Sequence, residues 1–280
     1  MAKKKRLSRF SWFLIIYMVI YVVVAYFAIK TMQPLTSVGQ RWIIHFGRFF
    51  FWAVNPMTLI MSWVLMTILV FIGYQYKKKQ KLIPDRKQSL IEWILSFIYH
   101  DMVEGAFEDK EFARKTVFPF AATLMLFVTF SNILGGIPGI QTAVENEHLK
   151  SFTLFQDTWY SPTSDLNTNL TYALMVLFVA HGLAIKKKGL KRYLKSYVEP
   201  FIFMLPLNII SEISKVISHS FRLFGNIAGG GILVLVLSYM VKYFILPVVL
   251  WGFFGFFVGV VQAMVYSMLA VAYISVQTEG

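Results

Sequence analysis

The sequence predicts an all-α integral membrane protein of about six membrane helices, and composition, segment length and charge placement each point to it. Of the 280 residues, 57% are hydrophobic and only 15% are charged. A soluble domain carries about 25% charged residues. Charge is scarce because long stretches contain none, and those stretches have the roughly 20 residues that cross a bilayer.

Six apolar segments are candidate spans. They cover about 10–29, 51–74, 117–139, 168–185, 200–240 and 243–275. The first exceeds the length of a signal-peptide core and precedes no small-residue cleavage site, which indicates a retained helix. The last two are too long for perpendicular crossings, so we expect a long tilted hairpin of helices, or segments that run partly along the interface.

Three basic clusters set the orientation. They lie at 3–6, 77–87 and 186–195, whereas the loop after the third span is acidic, with Glu145 and Asp157 among its charges. Six crossings place all three clusters and both termini in the cytoplasm and the acidic loop outside, as the positive-inside rule requires. The net charge of +13 therefore indicates topology and anionic lipid contact rather than nucleic-acid binding.

Residues 88–115 separate the second and third spans. The stretch SLIEWILSFIYHDMVEG has apolar residues at helical spacing with acidic residues between them, which predicts an amphipathic helix on the cytoplasmic surface. The chain has no cysteine, which excludes disulfides, iron–sulfur clusters and a cysteine nucleophile. Gly229–Gly231 lacks the lysine and the strand-to-helix context of a phosphate loop. We expect neither a metal nor a cofactor.

The fifth segment carries the densest polar pattern, from Asn208 to Gly231. On a helix, one stripe collects Ser211, Ser214, Lys215, Ser218, Arg222 and Asn226. Arg222 is the only arginine inside any predicted span, where an arginine costs roughly 2.5–3.5 kcal/mol on insertion scales. Because arginine keeps its proton at any reachable pH, this stripe should face a carboxylate or an aqueous cavity. Glu212 lies nearly three turns away, too far for a direct pair.

The sixth segment offers a matching face. Gly252, Gly255 and Gly259 recur at helical spacing and continue to Gln262 and Tyr266. Small residues let another helix approach closely. A hairpin of the last two helices would then bring Gln262 near Arg222.

Three motifs carry a resemblance to the subunit a family of F-type ATP synthases. They are SHSFRLFGNIAGG at 218–230, VQAMVYSMLAVAYI at 261–274 and FSNILGGIPG at 130–139, which contains Asn132. The similarity runs in order over roughly 117–277. The chain is thus expected to have a subunit a core at 51–280, preceded at 1–50 by a cytoplasmic stub, an extra membrane helix and an external loop.

The resemblance implies roles for single residues. The family's essential arginine is Arg222, its asparagine one turn later is Asn226, its glutamine of the last helix is Gln262, and its serine one turn before the arginine is Ser218. Arg222 is implied to face the acidic residue of each c subunit in the rotor ring. The implied protein is a non-catalytic stator subunit of a bacterial inner (plasma) membrane, which passes protons or Na⁺ through two half-channels to drive rotary ATP synthesis. Its implied partners are the c-subunit ring, the b-subunit peripheral stalk and the rest of the complex.

The coupling ion stays open. Two positions at which proton-driven relatives carry ionisable groups hold Gly231 and Gly255 here, which makes sodium, a hard cation that prefers oxygen ligands, an equal alternative to protons. Glu212 or His181 can instead serve as proton relays.

Several residues of the predicted channel have a second interpretation. Lys215 can snorkel to the interface, His181 can be interfacial, His219 fits packing, and Ser214 can bond back to its helix, as can Ser211. The remaining candidates for the channel lining are Asn132, Asn208 and Tyr266.

Other functions fit less well. A secondary ion-coupled transporter predicts an inverted repeat, and the halves of this sequence do not resemble each other. An intramembrane enzyme needs a nucleophile–base pair or metal ligands on facing helices, which the scattered histidines do not supply.

Overall fold

The computed structural model describes residues 12, 15, 16, 19, 42–45, 53–145, 148–199, 201–241, 250 and 252–279. The predicted first span is helical at its four described positions and otherwise lies outside this range, as does the predicted stub. The main helices are α1 (Pro56–Lys79), α2 (Arg86–Phe97), α3 (Lys110–Leu134), α4 (Leu166–Lys188), α5 (Leu190–Ser196), α6 (Met204–Val241) and α7 (Phe253–Glu279). Strands β1 (Ile44–His45) and β2 (Ala53–Val54) form a short antiparallel pair before α1.

The predicted all-helical membrane class is confirmed. Within the described ranges, α1, α3, α4 and α7 are long and apolar enough to cross a membrane. Helix α6 has 38 residues, about 57 Å at 1.5 Å per residue. Because a hydrocarbon core is only about 30 Å thick, α6 must tilt strongly or leave the bilayer.

Helices α1 and α4 begin next to each other at one end of the bundle, and the same kind of cap starts both. The Asn55 side chain accepts from Met57 N, and the Asp165 side chain accepts from Asn167 N. The Thr58 hydroxyl donates to Asp165 across 3.1 Å, which ties the two starts together. Both helices therefore carry their basic last turns, residues 77–79 and 186–188, to the opposite end.

The third predicted span ends earlier than expected. Helix α3 stops at Leu134, a turn follows at Gly135 and Gly136, and Pro138 opens strand β3, so the boundary at 139 is wrong. Proline has no N–H with which to continue a helix. Strands β3 (Pro138–Glu145) and β4 (His148–Thr158) pair antiparallel, and the acidic loop is thus a β-hairpin that the sequence did not predict.

The predicted amphipathic helix is present as α2, but only part of it lies on the surface. Leu90 and Trp93 of α2 are exposed. The chain then continues into a π-helical segment, Ile98–Val103, in which Ile98 and Val103 are fully buried. That segment packs against α3 and α7 and belongs to the core rather than to a surface helix.

Helix α7 forms an antiparallel hairpin with α6, as predicted. Contacts run in opposite order along the two helices: Glu212 with Gln277, His219 with Tyr266, Asn226 with Gln262, and Gly230 with Phe254. Behind the hairpin, a cluster of buried side chains from α3, α4, α6 and α7 fills the core.

The glycine face of α7 does not serve this hairpin. A Cβ atom at Gly255 would lie 2.3 Å from the Cα atom of Gly136, and one at Gly259 would lie 2.9 Å from the Cβ atom of Asn132. These glycines therefore let α7 meet the end of α3, which corrects the expectation that they face α6.

Candidate functional site

A groove of about 440 Å³ runs between α4, α6 and α7. Its polar wall is the predicted stripe of α6, and its apolar wall comes from α4 and α7. The polar lining residues of α6 are Ser211, Ser214, Lys215, Ser218, His219 and Arg222, and Tyr273 adds a polar group from α7. Ser211 and Ser214 form no hydrogen bond within the described ranges, so they do not bond back to their helix.

Arg222 is exposed on the groove side of α6. Among the described residues, its guanidinium has neither a hydrogen-bond partner nor an ion-pair partner. Lys215, seven residues earlier, is instead bound: its ammonium lies 2.9 Å from Glu212 Oε1 and over the Tyr273 ring. The stripe thus holds one internally neutralised cation and one that is open to an external partner.

Asn226 and Gln262 meet one turn beyond Arg222. Asn226 Nδ2 donates to Gln262 Oε1 across 2.5 Å. Gln262 is only 7% exposed, and its Nε2 has no partner among the described residues. Leaving such a donor unsatisfied costs about 1–3 kcal/mol, which makes this amide a site for a water molecule or for an incoming acceptor.

Tyr266 does not reach the groove. It is fully buried in the core cluster that includes Leu223, so the structure places it away from the predicted channel lining. His219 lies at the groove rim with its ring edge-on to Tyr266, at a centroid separation of 4.4 Å. Its Nε2 is 3.3 Å from the Tyr266 carbonyl oxygen, a contact that fits the packing interpretation.

A cluster of polar groups closes the end of the groove toward the basic turns. We call it the Glu212 cluster. It comprises His181, Glu212, Lys215, Tyr273 and Gln277 from three helices. Tyr273 donates its hydroxyl proton to Glu212 Oε2, and Gln277 Nε2 donates to Oε1 across 2.8 Å. His181 Nε2 lies 3.6 Å from Oε2, and the Glu212 side chain is only 14% exposed.

His181 connects this cluster to α5. Its Nδ1 lies 2.8 Å from the Tyr193 hydroxyl, which donates to the Tyr197 hydroxyl across 3.0 Å. Burial raises the pKa of Tyr193, so its phenol stays protonated near neutral pH. Asn208 donates to the Tyr197 carbonyl across 2.9 Å and thus lies beside this chain of groups, outside the groove lining.

Asn132 lies in a separate buried layer at the β-hairpin end of the bundle. Its Nδ2 donates to the Gly259 carbonyl, and its Oδ1 accepts from Thr163, each across 2.8 Å. Asn169, also buried, donates to the Thr163 carbonyl. This layer joins α3 to α7 at Gly259, three residues before Gln262. Along the bundle, Arg222 lies between this layer and the Glu212 cluster.

Sequence reasoning missed Tyr273, Gln277 and Tyr193. The first two continue the face of α7 that holds Gln262 and Tyr266, because Tyr273 lies seven residues after Tyr266 and Gln277 lies four residues after Tyr273. No sequence pattern pointed to Tyr193, because it lies in a basic segment between two predicted spans.

The fold and the groove together define a multi-pass membrane protein with a charged lateral groove. The sequence profile of the ATP synthase A chain family matches residues 57–275. ATP synthase subunit a of Acidothermus cellulolyticus is 32% identical over 225 residues, which cover 79% of this chain and 76% of that relative. The chain belongs to the ATP synthase A chain family, which confirms the predicted resemblance, and is therefore a non-catalytic membrane subunit of an ATP synthase.

Proposed function

We propose that this chain is the stator subunit that carries ions past a ring of c subunits, with Arg222 facing the ring carboxylates. The observation that carries the proposal is the Arg222 guanidinium, which is open to the groove and without a partner in the described part of the chain. An arginine at membrane depth costs roughly 2.5–3.5 kcal/mol. A carboxylate about 4 Å away recovers about 4 kcal/mol at an effective dielectric constant of 20. An external carboxylate is therefore sufficient to offset the cost.

The surface around Arg222 supports this partner. Ile213, Ile217 and Phe221 form an exposed apolar row beside the polar stripe. A helical ring with one carboxylate per subunit matches such a surface, because its apolar residues cover the row while its carboxylate meets the guanidinium.

The placement of polar groups on either side of Arg222 supports two half-channels. Toward the basic end, the groove leads past Ser218 and Ser214 to the Glu212 cluster. Toward the β-hairpin end, Asn226 and Gln262 lead to the buried layer around Asn132. An ion that enters by one path neutralises a ring carboxylate, which then rotates into lipid and releases the ion by the other path.

Arg222 has two tasks in this mechanism. Its fixed charge attracts the bare carboxylate and displaces the bound ion, and the same charge blocks a direct leak between the half-channels. Each elementary charge that crosses 100 mV releases about 2.3 kcal/mol, so several crossings are needed per ATP. The proposed coupling ion is a proton or Na⁺.

The proposed orientation in the membrane rests on the positions of the basic residues. The basic turns of α1 and α4 lie at one end of the bundle, and Glu279 of α7 pairs there with Lys187, which supports a cytoplasmic position for the C-terminus. The proposed membrane is the inner (plasma) membrane of a bacterium. The exposed segments at that end are the proposed contacts of the b-subunit peripheral stalk.

The test is ATP-driven ion uptake into vesicles that hold the whole complex. Arg222→Ala is expected to abolish uptake while the complex still assembles, as judged by co-purification with the ring subunits. Arg192→Ala is the matched control, because Arg192 is exposed on α5 outside the groove. Normal uptake by Arg222→Ala would make Arg222 a structural residue and overturn the proposal.

A further inference from the structure

A second pocket, of about 480 Å³, lies between the π-helical segment Ile98–Val103 and the first turns of α3. Its lining residues are Tyr99, Lys110, Glu111, Arg114 and Lys115, and the proposed ion path does not use them. We propose that this pocket binds the phosphodiester headgroup of an anionic phospholipid. The inference goes beyond the proposed function and does not depend on it.

The pocket lies at the basic end of the bundle, where α3 begins. The Glu108 N–H donates to the Glu279 carboxylate at the end of α7, and Glu279 pairs with Lys187 at the end of α4. The Lys187 ammonium lies over the ring of Phe112, 5.1 Å from its centroid. Since α3 continues from there as an apolar span, its first turns lie at the depth of the lipid headgroups.

The lining of the pocket is positively charged. Three cations and one carboxylate give a net charge of +2 (3 minus 1). Among the described residues, the Arg114 guanidinium has neither a hydrogen-bond partner nor an ion-pair partner. A guanidinium can donate two parallel hydrogen bonds to one phosphate group. Basic pockets between membrane helices on the cytoplasmic side are typical binding sites of anionic headgroups.

The two lysines are held only weakly. Lys115 pairs with Glu111 across 2.5 Å, but both side chains are about three-quarters exposed, and exposed pairs of this kind contribute little. Lys110 donates to the Glu104 carbonyl across 2.5 Å, and an ammonium has two further N–H donors. An incoming phosphate can therefore replace Glu111 at Lys115 and add to the contact of Lys110.

The acidic residues nearby have other partners and do not line the pocket. Asp109 caps α3 and accepts from the N–H groups of Glu111 and Phe112, each across 3.0 Å. The Glu104 carboxylate lies 2.6 Å from His100 Nδ1. Asp109 also precedes Arg114 by more than one helical turn, so the cations at 114 and 115 lie nearer the apolar part of α3.

An apolar surface next to the pocket favours a lipid over a free phosphate. The ring of Tyr99 packs edge-on against that of Phe118, with centroids 5.5 Å apart, and tyrosine is enriched at membrane interfaces. Pro119 and Thr123 continue the exposed face of α3 beyond Lys115. The Thr123 hydroxyl donates to the Pro119 carbonyl of its own helix, so it needs no water. An acyl chain can lie along this face while its phosphate stays at the cations.

The experiment uses the whole complex in nanodiscs of phosphatidylcholine that contain a trace of photoactivatable phosphatidylglycerol. After illumination, mass spectrometry identifies the peptides of this chain that carry lipid. We expect label on residues 98–117, and much less from photoactivatable phosphatidylcholine. Arg114→Gln should lower this label about fivefold, and the double variant with Lys115→Gln about tenfold or more. Arg114→Lys keeps the charge and should retain most of the label.

Two controls remove exposed cations at the same end of the bundle but outside the pocket. Lys78→Gln and Arg192→Gln should leave the label on residues 98–117 unchanged. Co-purification of the ring subunits shows that each variant assembles. Wild type provides a test without any substitution, because raising the salt from about 0.1 M to about 1 M shortens the screening length and should lower the label. Soluble glycerol phosphate should not compete with the lipid.

Four results would overturn the lipid site. Equal label from both lipids would show apolar contact without headgroup binding, and competition by glycerol phosphate would show a site for soluble anions. No label on residues 98–117 would show that another subunit covers the pocket. Unchanged label in the double variant would show that the cations do not bind the headgroup. None of these results bears on Arg222, whose role is tested by ion uptake.

Discussion

The close contact between Gly255 of α7 and Gly136, in the turn after α3, gives the sharpest stability prediction. A Cβ atom at Gly255 would lie 2.3 Å from Gly136 Cα and 2.7 Å from Gly136 N, whereas ordinary contacts begin at 3.4 Å. Gly255→Ala therefore forces the two backbones apart, because real Cβ atoms essentially never lie within 3.0 Å of another heavy atom. The contacted atoms are backbone, so no flexible side chain can absorb the shift.

The magnitude follows from two opposing effects. Alanine gains about 1 kcal/mol of helix propensity over glycine. Overpacking in a packed interior costs about 1–3 kcal/mol. Gly73→Ala in α1 is the matched control, because a Cβ atom there meets nothing within 4 Å and only the propensity gain remains. The free energies of unfolding of the two variants should thus differ by about 1–3 kcal/mol, with Gly255→Ala the less stable.

The assay is thermal unfolding of the purified complex in detergent, followed by tryptophan fluorescence. The midpoint of Gly255→Ala is expected to lie several degrees below that of Gly73→Ala, at roughly 2–4 °C per kcal/mol. Equal midpoints would show that α3 and α7 do not meet through these glycines, and the reasoning would be refuted.

Two further substitutions test how the ends of the bundle are held. Asn132→Leu removes the side-chain donor to the Gly259 carbonyl and one of the two partners of the Thr163 hydroxyl, which keeps its contact with Ser161, and should destabilise the chain by about 1–3 kcal/mol. Glu279→Ala removes the acceptor for the Glu108 N–H, at 3.0 Å, and should lower the midpoint by the equivalent of about 1–2 kcal/mol. Both effects are read from the same thermal unfolding assay.

Each of these variants has its own control. Thr123→Val removes an exposed hydroxyl that bonds only within its own helix, and Glu199→Ala breaks an exposed pair of the kind worth about 0–1 kcal/mol. If Thr123→Val destabilised the complex as much as Asn132→Leu, the buried contacts of Asn132 would not stabilise that end of the bundle. If Glu199→Ala destabilised it as much as Glu279→Ala, the Glu279 contact would not stabilise the other end.

Sequence patterns predicted the helices best where one property dominates. The long apolar stretches predicted α1 and α4, and the basic residues after them predicted that both helices end on the same side of the bundle. The polar stripe of α6 and the glycines of α7 predicted that two long helices would meet. The polar stripe of α6 lines a groove, as predicted from the cost of burying a charged side chain in an apolar segment.

The errors arose where tertiary packing chooses between equivalent local patterns. The glycine spacing of α7 permits a close approach but does not name the partner, and α3 occupies that place instead of α6. The apolar run after Asn132 continues to Ile137, so hydropathy alone carried the predicted span through a turn that Gly135 and Pro138 impose. The Glu212 cluster needed three helices and α5 to be placed together, which no single segment encodes.

The two cations of the α6 stripe lie in different electrostatic surroundings, which supports the proposed role of Arg222. Lys215 and Arg222 are seven residues apart, about 10 Å along the helix. The Lys215 charge is balanced by Glu212 within the bundle, which leaves the groove with one net positive charge at Arg222. A cation beside the balanced pair meets little net repulsion, whereas the uncompensated guanidinium repels any cation that approaches it. In the proposed mechanism, an ion therefore passes more easily up to Arg222 from the basic end than past it, and a ring carboxylate carries the ion further.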